Sequence, residues 1–231
     1  MDTHLESGTT VPMHVVGRVE IAKGIFELTL RHDGFHFEAG ECVVIFGPEG
    51  VSRPYSVASS PAEDGVLRVL FRRMPDGLLT RWLCDRQPGD SMMVSYAFGD
   101  FRPIPETRAG EHSPVFIATG VGIAPFLSTL RDGRVHTPRP HCLYGVRNLA
   151  DVVDHELLER CCELQLAVSR EMIDGLHHGH VDALVQALDV NLPRDYFLCG
   201  LDAMVYAQSD WLEAQGVPAA RVHTEVFFTA S

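Results

Sequence analysis

The sequence predicts an antiparallel β-barrel followed by a doubly wound α/β domain with a parallel sheet. Three observations support this fold class. Short segments of alternating apolar and polar residues fill the first part, a polar stretch at 106–113 interrupts them, and strand-like and helix-like segments alternate after it. We therefore expect two domains, at residues 1–108 and 109–231, in a chain of 231 residues.

The first domain is predicted to consist of six strands and one helix. Turn signals such as Asp33-Gly34 and Asp64-Gly65 separate its alternating segments, as in a barrel built from hairpins. An apolar spacing of three and four residues after Gly77 indicates the helix. The strands are expected at 13–21, 25–31, 41–46, 53–58, 66–72 and 91–96.

The second domain is predicted from its alternation of strands and helices, which is typical of a parallel sheet covered on both faces. Strands are expected at 115–119, 141–145, 163–169 and 196–199. Helices are expected directly after the first strand and at 151–160, 181–188 and 203–215.

The segment RPYS at 53–56 places a cation, an aromatic ring and a hydroxyl on one short extended strand. The guanidinium can pair with phosphate, the tyrosine ring can lie flat against a large π system, and the serine hydroxyl can bond a ring nitrogen. A flavin nucleotide needs these three groups. The structural alternative is a strand-edge arginine beside a half-buried tyrosine.

Two glycine-containing turns follow, each at the start of a predicted helix. GLLT at 77–80 leaves free N–H groups where the helix dipole favours a pyrophosphate, although an ordinary capped helix is the alternative. GVGIAP at 120–125 follows an apolar strand that ends at Thr119. Its glycines let the main chain approach phosphates, and its proline suits a first helical turn.

These motifs, with LCGLDAM at 198–204 and TEVF at 224–227, occur in the order found in the ferredoxin–NADP⁺ reductase family of flavoproteins. The chain resembles that family over nearly its whole length. The resemblance implies that RPYS holds the flavin of FAD, that GLLT holds its pyrophosphate, and that GVGIAP holds the pyrophosphate of NAD(P)H. The cofactor-binding residues expected are Arg53, Pro54, Tyr55, Ser56, Phe71, Arg72, Gly77, Leu79, Thr80, Thr119, Gly120, Gly122, Pro125, Arg147, Ser169, Arg170, Cys199, Gly200 and Phe227.

Two predicted strand ends bear on the choice of nicotinamide cofactor. Arg147 and the pair Ser169-Arg170 follow consecutive strands, at the edge where open α/β sheets bind ligands. They can grip the 2′-phosphate of NADPH through charge-assisted hydrogen bonds, and the SRE run resembles NADP-selective relatives. We expect NADP(H), with NAD(H) as the alternative because His180 stands where bacterial relatives often have an arginine. Solvated strand-end cations are the structural alternative.

The resemblance also implies where hydride transfer takes place. In the family, the residues matching Ser56, Cys199 and Glu225 surround that position without forming a covalent intermediate, so we predict them as the catalytic residues. A family tyrosine that covers the flavin is matched here by Phe227, with Phe228 as the competing cover. The structural alternatives are a buried strand position for Cys199 and simple packing for Phe227.

The composition disfavours several other classes. The net charge of −12 argues against nucleic acid, and no apolar run approaches the roughly 20 residues that span a bilayer. The first residues lack the pattern of a secretion signal, so a cytoplasmic location is expected. The histidines at 177, 178 and 180 have a loop-like spacing, and no metal site is predicted.

We therefore expect an FAD-dependent NAD(P)H oxidoreductase. The six cysteines lack the C-x₄-C-x₂-C spacing of a plant-type iron–sulfur cluster, so a ferredoxin, flavodoxin or oxygenase component is expected to act as a separate chain. Two alternatives stay open: a free flavin or quinone reductase, and a flavin-binding accessory subunit without turnover. A local basic group near the flavin, compatible with docking, is expected from Arg68, Arg72, Arg73, Arg81 and Arg86.

Overall fold

In the computed structural model, which describes residues 10–103, 112–131 and 139–227, the strands form two six-stranded sheets. The first sheet is antiparallel and has the order β4-β3-β6-β1-β2-β5. Its strands are β1 (Thr10–Ala22), β2 (Ile25–Arg31), β3 (Cys42–Phe46), β4 (Ser52–Ser56), β5 (Val66–Arg72) and β6 (Ser91–Ser95). Each corresponds to a predicted strand.

The two edges of the first sheet, β4 and β5, approach each other and give it the form of a barrel. Val57, directly after β4, forms a β-bridge with Val69 of β5. The N–H of Ala58 donates to the carbonyl oxygen of Arg68 at 2.8 Å. Alternate side chains fill the interior, and helix α1 (Leu78–Cys84) packs its buried leucines against that core.

The second sheet is parallel in every pairing and has the order β10-β9-β8-β7-β11-β12. Its strands are β7 (Ser113–Thr119), β8 (His141–Val146), β9 (Glu163–Val168), β10 (His177–His178), β11 (Arg194–Leu201) and β12 (Val222–Phe227). The helices between them are α2 (Ala124–Leu130), α3 (His155–Cys161), α4 (Asp182–Gln186) and α5 (Asp202–Ala214). This architecture confirms the predicted fold class.

The order in which the chain adds strands to the second sheet reverses at β7. From β7 it proceeds to β8 and β9 on one side, and later to β11 and β12 on the other. The carboxyl ends of β7 and β11 therefore flank the topological switch point, where open α/β sheets bind their ligands. Two strands are absent from the predicted alternation: β10 is only two residues long, and β12 lies in the segment interpreted as a flavin cover.

An apolar core joins the two sheets. The ring of Phe126 on α2 lies 5.7 Å from that of Phe101, which follows the barrel, and 4.6 Å from that of Phe116 on β7. Phe101 also contacts Phe197 of β11 edge-on, at 5.8 Å. The predicted domain boundary at residues 108 and 109 lies outside the described residues.

Candidate functional site

A carboxylate from the parallel sheet meets two side chains from the barrel. Ser56 at the end of β4 donates its hydroxyl hydrogen bond to Oε2 of Glu225 on β12 at 3.2 Å. The Sγ of Cys42 on β3 donates to Oε1 of the same carboxylate at 2.6 Å. Cys42 and Ser56 are direct partners in the β3–β4 ladder, which puts both side chains on one face.

Cys199 completes this group from the neighbouring strand. It is opposite Glu225 in the parallel pairing of β11 with β12 and is fully buried. Burial, followed by the charges of Glu225 and Cys42, raises the pKa of the Cys199 thiol. The thiol therefore remains protonated at neutral pH. The structure thus brings together all three predicted catalytic residues, Ser56, Cys199 and Glu225, where the two sheets meet.

The Glu225 carboxyl binds a proton more readily than an exposed glutamate does, because its pKa is raised. Burial raises its pKa, while the hydrogen bonds from Cys42 and Ser56 and the charge of Arg102 oppose that effect. Arg102 itself is engaged by Glu38 at 3.0 Å and by Glu41 at 3.2 Å. A proton on this carboxyl can be gained or lost beside the Ser56 hydroxyl.

Cys42 belongs to none of the sequence motifs described above. Its contact with Glu225 joins residues 183 positions apart, so neither local spacing nor a motif reveals it. A partial signal exists, because a residue opposite Ser56 in a hairpin shares its surroundings. Burial and the Glu225 charge raise the pKa of the Cys42 thiol, and it remains a neutral donor.

The RPYS segment forms β4, with its arginine half-buried. Nη1 of Arg53 donates to the carbonyl oxygen of Ser52 at 2.7 Å, and among the described residues no carboxylate pairs with this guanidinium. Pro54 is on β4, at the end of the sheet order, where a missing N–H is tolerated. Tyr55 is half-buried against the barrel core, and burial raises its pKa, opposed by the charge of Arg53.

The GLLT turn is held by its own hydrogen bonds. Oγ1 of Thr80 donates to the carbonyl oxygen of Gly77 at 3.2 Å and accepts from the N–H of Met74 at 3.1 Å. A Cβ atom on Gly77 would lie 2.5 Å from that Oγ1. Leu79 is buried in the barrel core with its Cδ1 against Gly47. Local packing against Thr80 therefore requires a glycine at position 77, independently of any ligand.

Phe71 and Arg72, neighbours at the end of β5, point to different surroundings. The Phe71 ring stacks on Phe26 in the barrel core at 5.3 Å, so a contact of Phe71 with a cofactor would come from its main chain. Nη2 of Arg72 lies 3.9 Å from Oδ2 of Asp151, in the 3-10 turn that follows β8. Burial, followed by the charge of Arg147, lowers the pKa of Arg72.

The GVGIAP segment turns tightly between β7 and α2. Residues Gly120–Ile123 form a 3-10 turn, Gly120 has a φ of 54°, and Pro125 occupies the first turn of α2 as expected. The Tyr144 hydroxyl donates to the carbonyl oxygen of Gly120 at 2.8 Å. The turn lies beside the end of β11, where the N–H of Leu201 donates to Oγ1 of Thr119 at 3.0 Å.

The predicted 2′-phosphate residues lie side by side at the carboxyl edge of the parallel sheet. The N–H of Arg170 donates to the carbonyl oxygen of Arg147 at 2.8 Å, and Oγ of Ser169 donates to the carbonyl oxygen of Val146 at 3.3 Å. Both arginines are exposed, and neither has a carboxylate partner among the described residues. Their charges act on Arg72 of the barrel, so three cations share this region.

The expected basic group on the barrel is partly neutralised. Nη1 of Arg68 lies 2.6 Å from a carboxylate oxygen of Glu63, and Arg86 pairs with Asp90 at 3.2 Å while covering the Trp82 ring. The charge of each of these two arginines is thus offset locally by a carboxylate. The predicted local basic group therefore includes two arginines whose charge is already paired with a carboxylate.

Phe227 is the last residue of β12 and is paired with Leu201 of β11. Its side chain and the whole of Phe228 lie outside the described residues, so the choice between the two covers stays a prediction. In the described part of the chain, no three His, Cys, Asp or Glu side chains are grouped as a metal would need. None of the helices in the described ranges combines the length and the apolar character that a bilayer crossing requires.

Comparison with known proteins places this geometry in a family. The oxidoreductase FAD-binding domain family matches residues 14–102. A protein named ferredoxin–NADP reductase B from Sorangium cellulosum is 31% identical, over 84% of this chain and 88% of its own length. The chain belongs to the ferredoxin–NADP reductase family. Its fold agrees with the crystal structure of a cytochrome P450 reductase from Amycolatopsis, with a TM-score of 0.86, 29% identity, and coverage of 96% of this chain and 71% of that one.

Other relatives of the family are longer than this chain. The reductase subunit of an Amycolatopsis aromatic O-demethylase is 31% identical over 84% of this chain, which spans 62% of its length. An electron transfer component of anthranilate 1,2-dioxygenase from Acinetobacter baylyi is 28% identical over 78% of this chain, which spans 54% of it. The chain thus spans between half and two thirds of these relatives.

The charges of the site fit the diphosphate cofactor that the family match implies. Arg53 on the barrel has no carboxylate partner among the described residues, and Arg72 lies close enough to Arg147 for their charges to repel. Guanidinium groups bind phosphate in two-point contacts, and Arg53 has none of its charge neutralised by a carboxylate of the described residues. FAD is the cofactor that these residues fit.

Proposed function

We propose that the chain is an FAD-dependent oxidoreductase that moves hydride between NADP(H) and flavin and exchanges electrons with a separate carrier. The observation that carries the proposal is the meeting of Ser56 from the barrel with Glu225 and Cys199 from the parallel sheet. These groups come from an FAD-binding domain and from the switch point of a nucleotide-binding type of sheet. Bound FAD would supply the chemistry, as acceptor of hydride and donor of electrons.

The barrel residues are proposed to hold FAD. Arg53 offers its guanidinium to a phosphate, Tyr55 offers a ring face, and Ser56 offers its hydroxyl beside the ring nitrogens. The remaining predicted contacts come from Pro54, Phe71, Arg72, Gly77, Leu79 and Thr80. Two observations support this proposal. Arg53 and Tyr55 are half-buried, and among the described residues no carboxylate pairs with Arg53.

The end of β11 is proposed to receive the nicotinamide, and the turn after Thr119 to receive the pyrophosphate. Gly200 has a φ of 143°, a conformation that L side chains rarely adopt, and a Cβ there would lie 2.2 Å from Oγ1 of Thr119. A glycine is therefore required at this position for β11 to pack against Thr119 beside Cys199. Gly120, Gly122 and Pro125 shape the adjoining turn.

NADP(H) is proposed as the nicotinamide cofactor rather than NAD(H). Arg147, Ser169 and Arg170 are adjacent at the ligand-binding edge of the sheet and carry two unpaired positive charges among the described residues. A 2′-phosphate supplies the two charges that such a pair can neutralise through charge-assisted hydrogen bonds. The ribose hydroxyl of NAD(H) cannot do so.

The domains, the partners and the compartment are proposals as well. Residues 1–108 would form the FAD-binding domain and residues 109–231 the NAD(P)-binding domain with its tail. A ferredoxin, a flavodoxin or an oxygenase component would exchange electrons as a separate chain. All six cysteines are free in the structure, which supports a reducing compartment such as the cytoplasm.

Anaerobic reduction of the purified protein by NADPH tests the proposal. We expect about one FAD per chain, bleached by NADPH and reoxidised by one of a panel of ferredoxins, flavodoxins, quinones and oxygen. A protein that retains FAD but is bleached by dithionite alone would be the accessory subunit. Reoxidation by free flavins or quinones, with no response to any protein carrier, would favour the free reductase. A protein that does not bind FAD would disprove the proposed function.

A further inference from the structure

Glu225 lies on β12, an edge strand of the parallel sheet that has a partner strand on one side only. Its carboxylate is gripped by the barrel, with Cys42 at Oε1 and Ser56 at Oε2. Each oxygen therefore has its own donor, and the two donors are cross-strand neighbours with Sγ and Oγ 3.5 Å apart.

We propose that Cys42 is a positioning residue whose thiol holds Oε1 of Glu225, so that Oε2 stays directed at the Ser56 hydroxyl. This inference rests on the proposed function, in which Ser56 and Glu225 flank the flavin. A carboxylate with one donor can rotate about its terminal bond, whereas two donors on a rigid ladder fix its plane. The sulfur acts on the reaction only through Glu225.

The other groups around Glu225 do not replace this contact. Cys199 is opposite Glu225 on β11, and among the described residues no hydrogen bond joins its buried, protonated thiol to this carboxylate. Arg102 acts by charge, with its guanidinium bound to Glu38 and Glu41. Among the described residues, Cys42 and Ser56 supply the hydrogen bonds to this carboxylate, and Glu41 adds a charge that acts on Cys42.

A protonated thiol is the state that the proposal requires, and the surroundings of Cys42 favour it. The side chain is buried, and a carboxylate directly opposite disfavours a thiolate. A serine at this position would keep an O–H donor of similar reach, whereas an alanine would leave Oε1 without one. The two substitutions thus separate loss of the donor from loss of the sulfur.

Infrared spectroscopy of the whole protein tests the contact itself. The S–H stretching band of Cys42 is identified as the band lost in Cys42→Ala. We expect Glu225→Gln to move that band to higher frequency, because a neutral amide oxygen accepts more weakly than a carboxylate. Cys161→Ala, which removes a half-buried thiol at the end of α3, is the matched control and leaves the Cys42 band in place.

The pH profile of flavin reduction by NADPH tests the consequence. Cys42→Ala removes a donor that favours the ionised carboxylate, so the apparent pKa of Glu225 should rise by about one unit, a tenfold change in its ionisation constant. Cys42→Ser should return the profile close to that of the wild type, and Cys161→Ala should not move it.

An unchanged Cys42 band in Glu225→Gln would overturn the proposal, as would equal profiles for Cys42→Ala and Cys161→Ala. If Cys42→Ala does not fold, the serine variant identifies the band, and its profile together with the Glu225→Gln spectrum decides. The band does not depend on turnover. A wild type that shows the expected band shift but no reduction by NADPH would count against the proposed function alone.

Discussion

The turn at Gly122 packs directly onto the main chain of Gly200, so that a Cβ atom built on Gly122 would lie 2.5 Å from the Gly200 Cα. The same Cβ would lie 2.4 Å from the carbonyl oxygen of Cys199. The glycine therefore does more than admit phosphates, the role that the sequence predicts for it. It lets the proposed pyrophosphate turn and the proposed nicotinamide strand approach at the switch point.

We expect Gly122→Ala to displace the turn from β11, because main-chain atoms cannot yield as a flexible side chain can. Overpacking of this kind costs about 1–3 kcal/mol in free energy of unfolding. Reduction by NADPH should fall while FAD remains bound. Thermal melting and stopped-flow reduction measure the two effects. Gly17→Ala on β1, where a Cβ meets nothing within 4 Å, is the control. Equal behaviour of the two variants would show that the contact is not limiting.

Arg131, which directly follows α2, links the two sheets. Its Nε and Nη2 donate to Oδ2 of Asp154 at 3.1 and 3.0 Å, and its Nη1 donates to the carbonyl oxygen of Ala58 at 2.9 Å. Nη1 also lies 3.4 Å from Oε2 of Glu27 on β2. The barrel and the residue that precedes α3 thus share one guanidinium.

We expect Arg131→Ala to lower the free energy of unfolding by about 1.5–3 kcal/mol, the range for hydrogen bonds to charged groups. The remaining Asp154 and Glu27 carboxylates would then lack their shared cation. Urea unfolding followed by circular dichroism and by flavin release measures the loss. Arg160→Ala, at an exposed arginine on α3, is the matched control. A change no larger than that of the control would show that apolar packing alone joins the sheets.

The raised pKa of Glu225 predicts a pH dependence of stability. The folded state binds this proton more tightly than the unfolded chain does, so the contribution of Glu225 to stability is lost as the pH rises above the ordinary value of 4.5. Replacing the acid by a neutral amide removes that dependence. We therefore expect Glu225→Gln to gain stability relative to the wild type as the pH increases from 4 to 7, measured by thermal melting. A difference that stays constant with pH would show that the carboxyl titrates normally.

Local sequence patterns predict most of the strands and helices of this fold. They do not predict the side-chain contacts between residues that are distant in sequence. Period-two alternation and turn residues predicted the barrel strands because each strand buries one face. The alternation of strand and helix similarly predicted the parallel sheet. Cys42 and Arg131 were missed because their partners are distant in sequence and are brought near only by the packing of one sheet on the other. For Phe71, the family resemblance predicts a contact with the cofactor, but it does not predict that the ring is buried against Phe26 in the barrel core.

Arg53→Ala should weaken the retention of FAD. Its guanidinium is half-buried and free of carboxylates among the described residues, so a phosphate would be its principal counter-charge. Loss of a charge-assisted hydrogen bond costs about 1.5–3 kcal/mol, a reduction of roughly ten- to a hundredfold in affinity. Titration of apoprotein with FAD by fluorescence quenching measures it, and Arg53→Lys should lie between the two. Unchanged affinity would mean that the first motif has been misinterpreted.

The double variant Ser169→Ala with Arg170→Ala should bring NADPH and NADH together as reductants. Both side chains lie at the carboxyl edge of the sheet, and the main chain of Arg170 is bonded to that of Arg147 through its N–H, so the substitutions leave the strand pairing intact. The loss falls on the cofactor that carries the additional phosphate, and we expect kcat/KM for NADPH to fall about tenfold or more, mainly through KM. The kcat/KM for NADH should change little. His180→Ala, directly after the Gly179 whose N–H donates to the carbonyl oxygen of Val168, is the control and should leave the preference in place. An equal loss for both cofactors would show that the two residues support the strand end, and that the preference for NADPH, if the enzyme has one, comes from elsewhere.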